Sequence, residues 1–316
     1  FDGFPRYKKA DLLLKIVNKE KITLLGVSAK YIDQLRKTKK NFKKIYKLSK
    51  LRTICSTGSP LSEDGFSYVY KNIKQNVHLA SISGGTDIVS CFVLGNLYQS
   101  VHSGEIQSKG LGMDVRVFDE KGKSILNKKG ELVCVNPFPS MPLKFWNDPN
   151  DTKFKQAYFN KYKNVWHHGD YAKITKNKGF VIYGRSDTTL NPGGVRLGTA
   201  EIYSEIERFN EIKESLVVGQ SWDNDIRIVL FVILNPKYQL NELLLKNLKL
   251  QIRKNASPRH VPHKIIQVKD IPRTKSGKIV ELAVKNIIEG NKIRNKEALA
   301  NPESLNEFKN LEELKF

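Results

Sequence analysis

Three short apolar runs near the start of the chain each end in small or glycine-bearing residues: "KITLLGV" (21–27), "LRTICSTG" (51–58) and "NVHLASISGG" (76–85). Helical spacing separates them. Leu12, Leu13, Ile16 and Val17 recur on one side before the first run, and Tyr31, Ile32 and Leu35 do so after it. Strands joined by helices cannot close as hairpins. The alternation therefore predicts a parallel sheet with crossover helices, and it places ligand binding at the carboxyl ends of the strands. The Gly-Ser-Pro turn after the second run predicts a helix starting near Ser62, with Asp64 in its first turn. The stretch "SISGGTD" reads as a tight loop after the third strand.

From about residue 100 the pattern changes. "GMDVRVFDEKGKSI" and "GELVCVN" alternate as strands around a Lys-Gly turn, and "YAKITKNKGFVIYGR" (171–185) reads as a hairpin turning at Asn177-Lys178-Gly179. These segments predict an antiparallel β subdomain over about 101–185, joined to an α/β lobe over about 1–100. A glycine-rich loop and a helix follow Gly184-Arg185. Two strands come from "SLVVGQSWDNDIRIVLFVIL", then a helix over 240–254 with Leu240, Leu243, Leu244 and Leu248 on one face. The strand "HKIIQVKDIP" and a helix over 279–289 close a small α+β domain spanning 186–316.

Lys and Arg number 54 against 32 Asp and Glu, a net charge of +22. Such an excess can serve nucleic acid or an anionic membrane surface. Here the lysines are spread over the whole chain. The densest cluster, Arg36 to Lys50, interleaves only Phe42 and Tyr46, and no helix-turn-helix, zinc-finger or RNP-type pattern accompanies it. The cluster is expected to be a solvated helical face, and no nucleic-acid partner is expected. No apolar run approaches the ~20 residues of a membrane span. Cys55, Cys91 and Cys134 form neither a metal-ligand spacing nor a disulfide framework, which points to a reducing compartment such as the cytosol. "FDGFP" lacks the basic start and apolar core of a signal peptide and reads as the inside of a domain. The chain is expected to be the C-terminal portion of a longer protein.

Four stretches carry candidate chemistry. "SISGGTDIVS" sets two glycines, a hydroxyl and a carboxylate at a strand end, where backbone N–H groups can meet phosphate and a carboxylate can hold Mg²⁺; a helix cap would read the same. In "WHHGDYAKI", Asp170 can accept both hydroxyls of a ribose, or cap a turn. His167 and His168 have no third ligand placed by sequence and read as ordinary. "GRSDTTLNPGGVRLG" flanks a glycine loop with Arg185 and Arg196, as a phosphate site or a plain linker would. "PRTKSGKI" looks like the tail of a P-loop but has Pro272 and Ile279 where that motif needs Gly and Ser or Thr.

Taken together and in this order, the four stretches resemble the adenylate-forming superfamily of acyl-CoA synthetases, luciferases and peptide-synthetase adenylation domains. "SGGTD", "HGDY", "GRSDTTLNPGGVRLGTAEIY" and "PRTKSGK" carry the resemblance. Within it, "GELVCVNPFPSMPLKFWNDP", "ASPRHVPHKI" and "ALANPESLNEF" are most similar to the branch of acetoacetate–CoA ligases. The resemblance implies part of the superfamily's large domain followed by its small mobile C-terminal domain. It implies ATP, CoA and Mg²⁺ as cofactors and acetoacetate as the acid, joined to CoA through an acyl-adenylate. A ligase for another short or medium acid, or a non-catalytic nucleotide-binding relative, are the alternatives. By the same resemblance, Gly58, Ser59, Pro60 and Ser81 to Gly85 flank the adenine. Thr86 touches the α-phosphate, and Asp87 holds Mg²⁺ where relatives often have Glu. Asp170 and Arg185 bind the ribose, and Asp187 is the hinge. Arg196 binds phosphate, Gly194 lets the pantetheine of CoA pass, and Lys278 is the catalytic lysine. Gly84 is expected to leave room for an acyl group longer than acetyl. The Ser/Thr/Gly-rich loop for the β- and γ-phosphates does not occur in these 316 residues.

Overall fold

The computed structural model describes residues 3, 7, 9–275, 277–293 and 296–316. Phe1 and Ser276, which belong to stretches discussed above, lie outside them. The chain divides into two units, Phe1–Ile182 and Tyr183–Phe316.

In the first unit, α1 (Leu12–Lys19), β1 (Leu24–Ser28), α2 (Ala29–Lys37), β2 (Thr53–Thr57), α3 (Glu63–Tyr68) and β3 (His78–Ser81) follow one another, and the strands pair in parallel in the order β1-β2-β3. Side-chain caps start two of the helices. The Ser28 hydroxyl accepts the Tyr31 N–H at 3.2 Å, and that of Ser62 accepts the Gly65 N–H at 3.3 Å, so each satisfies one orphan donor of a first turn. Leu14, Val17, Ile32, Leu35, Ile54, Phe66 and Leu79 fill the core between helices and sheet.

The basic cluster 36–50 is not the helical face expected of it. Arg36 and Lys37 end α2, and beyond them only Phe42–Lys44 makes a single 3-10 turn. Its two aromatics point inward. Phe42 is fully buried, and the Tyr46 hydroxyl donates to Asp11 at 2.8 Å. Lys39, Lys40, Lys43, Lys44, Lys47 and Lys50 remain solvated. The aromatics thus anchor a loop, which periodicity alone does not distinguish from an amphipathic helix.

Antiparallel pairing begins earlier than expected. The residues read as a tight loop form β4 (Ser83–Gly85), which pairs with β5 (Ser90–Leu94); β5 in turn pairs with β6 (Ser108–Lys109). A four-stranded sheet follows, in the order β10-β9-β8-β7, from β7 (Val115–Phe118), β8 (Lys129–Cys134), β9 (Trp166–Ile174) and β10 (Phe180–Arg185), with α4 (Thr152–Tyr158) preceding β9. Phe92, Phe138, Phe154 and Trp166 meet edge to face in its core, a favoured geometry for aromatic pairs.

The second unit is built on α5 (Thr199–Ile206), β11 (Ile212–Trp222), β12 (Asp225–Leu234), α6 (Glu242–Asn255), β13 (Lys264–Gln267) and α7 (Glu281–Ile288). β11 and β12 form a hairpin, and β13 joins β12 in parallel. Asp223 and Asn224 both take positive φ, 47° and 59°, as a two-residue hairpin turn matched to strand twist requires. Successive residues of β12 alternate between two cores. Ile228, Leu230 and Val232 pack with α5 and α6, while Val229, Phe231 and Ile233 pack with α7, Ile271 and Phe308. A strand covered on both faces has no polar side, hence the unbroken run "IVLFVIL". On α6 the buried stripe is Leu244, Leu248 and Ile252; Leu243, expected on it, is 67% exposed. An i, i+4, i+8 stripe turns its neighbour about 100° away. No helix among the described residues is long and apolar enough to cross a membrane.

Candidate active site

The candidate residues of the first unit gather at strand ends. Gly58 follows β2 with φ of +86°, a left-handed conformation that glycine adopts without cost, and Ser59-Pro60 then lead into α3. All three are exposed, while Ser81 at the end of β3 is buried.

β4 carries Ser83, Gly84 and Gly85 past β5. The side-chain position of Gly84 is taken by backbone: an added Cβ would lie 2.1 Å from the Ser90 carbonyl oxygen and 2.6 Å from the Cys91 Cα. The expectation that Gly84 leaves room for an acyl chain is therefore corrected. In the direction a side chain would take, the space is filled by the neighbouring strand. Gly85 faces the His168 ring, with Cε1 3.0 Å from an added Cβ. Thr86 opens the turn to β5, its carbonyl accepting the Val89 N–H at 3.1 Å. Thr86 and Asp87 are exposed, and the Tyr158 hydroxyl donates to Asp87 Oδ2.

Asp170 is delivered by a bulge. Glu131 of β8 pairs with Tyr171, yet Val133 pairs with His167, so β9 fits two extra residues opposite β8. Gly169, at φ +80°, takes the left-handed turn this needs, and the bulge re-aims its neighbours. Asp170 is buried. Ser83 Oγ lies 3.5 Å from its Oδ2, and His168 Nε2 lies 3.8 Å from the same oxygen. The Trp166 indole N–H points at His168 Nδ1, 3.4 Å away, and the imidazole packs edge on Phe92 at 4.7 Å. An Nδ1 that accepts leaves Nε2 as the protonated nitrogen facing the carboxylate. His168, read from sequence as ordinary, is thus a wall of this cluster. Its only sequence signal is its place two residues before Asp170. Its neighbour His167 pairs instead with Glu131 at 2.9 Å, on the other side of the sheet. Tyr158 carries no sequence signal at all.

In the second unit, Arg185 is exposed with Nε 3.7 Å from Asp187 Oδ1, and Asp187 lies in a one-turn helix over Ser186–Thr188. Leu190 and Leu197 exchange backbone hydrogen bonds of 2.9 and 2.8 Å, closing the loop between them. At its tip Gly193 and Gly194 take φ of 57° and 73°, and nothing lies within 4 Å of where either side chain would be. The Gly193 N–H donates to both Asp225 carboxylate oxygens at 2.9 Å. The N–H groups of Ile226 and Gly193 hold the Asp225 carboxyl below its usual range. Arg196 folds back along the loop, with Nε 3.3 Å from Thr189 Oγ1 and Nη2 3.4 Å from the Ser186 carbonyl. The structure therefore brings Arg196 and the Ser186–Thr189 segment together.

Lys278 sits on a small loop of its own. Arg273 and Ile279 form an antiparallel bridge, the Thr274 N–H donates to the Lys278 carbonyl at 2.8 Å, and the Lys278 N–H donates to Thr274 Oγ1 at 3.1 Å. Gly277, at φ 84°, makes the turn. The lysine side chain is exposed, and among the described residues no carboxylate forms an ion pair with it.

Residues 201–278 match the family model of the AMP-binding enzyme C-terminal domain. Over 315 residues, all of this chain and 48% of the relative, the sequence is 56% identical to the acetoacetyl-coenzyme A synthetase of Rhizobium meliloti (strain 1021). Over its whole length the chain is thus similar to the acetoacetyl-CoA synthetase family. The family member of Xenopus tropicalis is 46% identical over 99% of this chain and 47% of its own length. The chain thus spans about half the length of the curated relatives it matches. Among solved structures, an acetoacetyl-CoA synthetase from Streptomyces lividans superposes with a TM-score of 0.89 at 39% identity, covering 96% of this chain and 47% of that one. The anthranilate CoA ligase AuaEII, solved with anthranoyl-AMP, superposes with a TM-score of 0.73 at 21% identity over 88% of this chain and 52% of its own, a likeness of fold alone.

Proposed function

We propose that this chain is the C-terminal portion of an ATP-dependent acetoacetate–CoA ligase. The supporting observation is its likeness, over its whole length, to acetoacetyl-CoA synthetases, against a likeness of fold only to ligases named for other acids. In the first step a carboxylate oxygen of acetoacetate attacks the α-phosphorus of ATP. A P–O bond forms, the bond to the β-phosphate breaks, and pyrophosphate leaves. In the second, the CoA sulfur attacks the acyl carbon, the thiol proton is lost to solvent, and AMP leaves.

The chain's residues take the following parts. Ser59 and Pro60, with Gly58, Ser81, Gly84 and Gly85, border the adenine, and Thr86 meets the α-phosphate. Asp170, held from behind by Ser83 and His168, accepts the ribose hydroxyls together with Arg185. Asp187 is the pivot of the mobile domain. Arg196 neutralises phosphate charge, the bare Gly194 gives the pantetheine passage, and Lys278 meets the charge that builds on the α-phosphate oxygens. No group of three or more His, Cys, Asp or Glu among the described residues could cage a metal. A single exposed carboxylate, Asp87, fits Mg²⁺ all the same, since that ion keeps waters and nucleotide phosphates as its other ligands. Bound there, Mg²⁺ would supply charge neutralisation on the phosphates.

The test is acetoacetate-dependent AMP formation by the full-length protein against a panel of short acids. Preference for another acid would overturn the substrate, and nucleotide binding with no acyl-adenylate would overturn catalysis. Asp170→Ala is expected to raise the apparent KM for ATP by about tenfold to a hundredfold, since hydrogen bonds to a charged acceptor contribute roughly 1.5–3 kcal/mol. Steady-state kinetics at saturating acetoacetate and CoA measure it.

A further inference from the structure

Lys278 and the hinge are far apart in sequence, and one carboxylate stands between them. Glu281 opens α7, three residues after Lys278. The Tyr203 hydroxyl donates to its Oε1 at 2.6 Å and accepts the Val217 N–H of β11 at 3.0 Å. The hydroxyls of Thr188 and Thr199 also lie beside the Glu281 carboxyl and favour its charged form. Thr188 is buried, belongs to the one-turn helix that carries Asp187, and sends its hydroxyl to the Arg185 carbonyl at 3.3 Å. One side chain therefore ties the segment 186–188, the start of α5 and the edge strand β11 to the foot of the lysine loop. That loop runs straight into it, since the Val280 N–H donates to the Pro272 carbonyl at 3.1 Å.

We propose that Glu281 is a positioning residue that fastens Thr188 to the base of the lysine loop, so that the hinge flexes only before Thr188 and Lys278 follows its motion rigidly. The inference rests on the proposed function for the meaning of that motion, though the linkage itself does not. The desolvated setting fits a built junction and not a chance contact. Burial pushes the Glu281 carboxyl above its ordinary value, the hydroxyls of Thr188, Tyr203 and Thr199 pull it back, and the Asp187 charge adds to the rise. Burial, and then Glu281 itself, likewise push the Tyr203 phenol well up.

Hydrogen–deuterium exchange on the 316-residue chain tests the linkage without any catalysis. Glu281→Ala is expected to speed exchange about tenfold or more in both 186–190 and 272–280, with β11 and β12 still protected. Glu281→Gln, which keeps an acceptor for Tyr203, is expected to restore protection in both segments. Faster exchange in one segment only, in neither, or throughout the unit would overturn the proposal, as would failure of Gln to rescue. In the full-length protein Glu281→Ala is expected to slow acyl-adenylate formation about tenfold at an unchanged KM for ATP. A risen KM with an unchanged rate would count against it. A wild-type enzyme without acyl-adenylate formation would refute the proposed function and leave the exchange result to decide the linkage.

Discussion

Lys278→Ala is expected to slow acyl-adenylate formation in the full-length protein by about 10²–10³-fold and to leave thioester formation from preformed acyl-adenylate nearly unchanged. The size follows from what a preorganised charge does. The ammonium would meet oxygens whose negative charge grows only as the carboxylate attacks, in a place where water cannot rearrange to replace it. The separation of the two steps follows from the loop. Its hydrogen bonds run through the Thr274 hydroxyl and the backbone of Thr274, Lys278 and Val280, so truncating Lys278 at Cβ leaves them standing. Lys278→Arg is expected to recover little, because a planar fork presents charge differently from a compact ammonium. Isotope exchange between pyrophosphate and ATP reads the first step, and synthetic acyl-adenylate with CoA reads the second. Equal loss in both would remove Lys278 from the role.

Gly84→Ala is expected to destabilise the first unit by at least the upper end of the ~1–3 kcal/mol that overpacking commonly costs. The obstacle is the Ser90 carbonyl and the Cys91 Cα of the paired strand, and backbone cannot step aside as a side-chain tip does. Gly85→Ala should be milder, since a His168 ring carbon 3.0 Å away can shift by a few tenths of an ångström. Thermal unfolding of the two variants side by side measures the contrast. A Gly84→Ala protein that unfolds normally but changes its acid preference would reinstate the reading of Gly84 as a gap for the acyl chain.

These two positions also show what is legible in a sequence. Loops, helices and hairpins are carried by patterns spanning a few residues: the alternation over 10–87, the Asn177-Lys178-Gly179 turn, the continuous apolar run of β12. Ser83–Gly85 reads as a loop because glycines that punctuate a turn and glycines that admit a neighbouring backbone look alike until the neighbour is known. Leu243 reads as core because two stripes one residue apart both fit a leucine-rich helix, and only the sheet beneath chooses between them. For the candidate site, the stretches around Asp170, Arg196 and Lys278 can be singled out, but not the company they keep. His168 with Gly85, Tyr158 with Asp87 and Tyr203 with Glu281 are pairings across 71 to 83 residues of chain. Short-range periodicity carries no trace of them.

The bulge that presents Asp170 sets a rule of parity on this part of the chain. Trp166, His168, Asp170, Ala172 and Ile174 carry even numbers, and Trp166, Ala172 and Ile174 face the same aromatic core on either side of the bulge because the strand gains two residues there and not one. Losing a single residue near Gly169 would turn Trp166 and Ala172 to opposite faces of the sheet, whereas losing two would straighten the strand and keep both in the core. Length at this spot can therefore change only in steps of two. A variant that shortens the segment by a pair would keep its fold and lose the acid's aim.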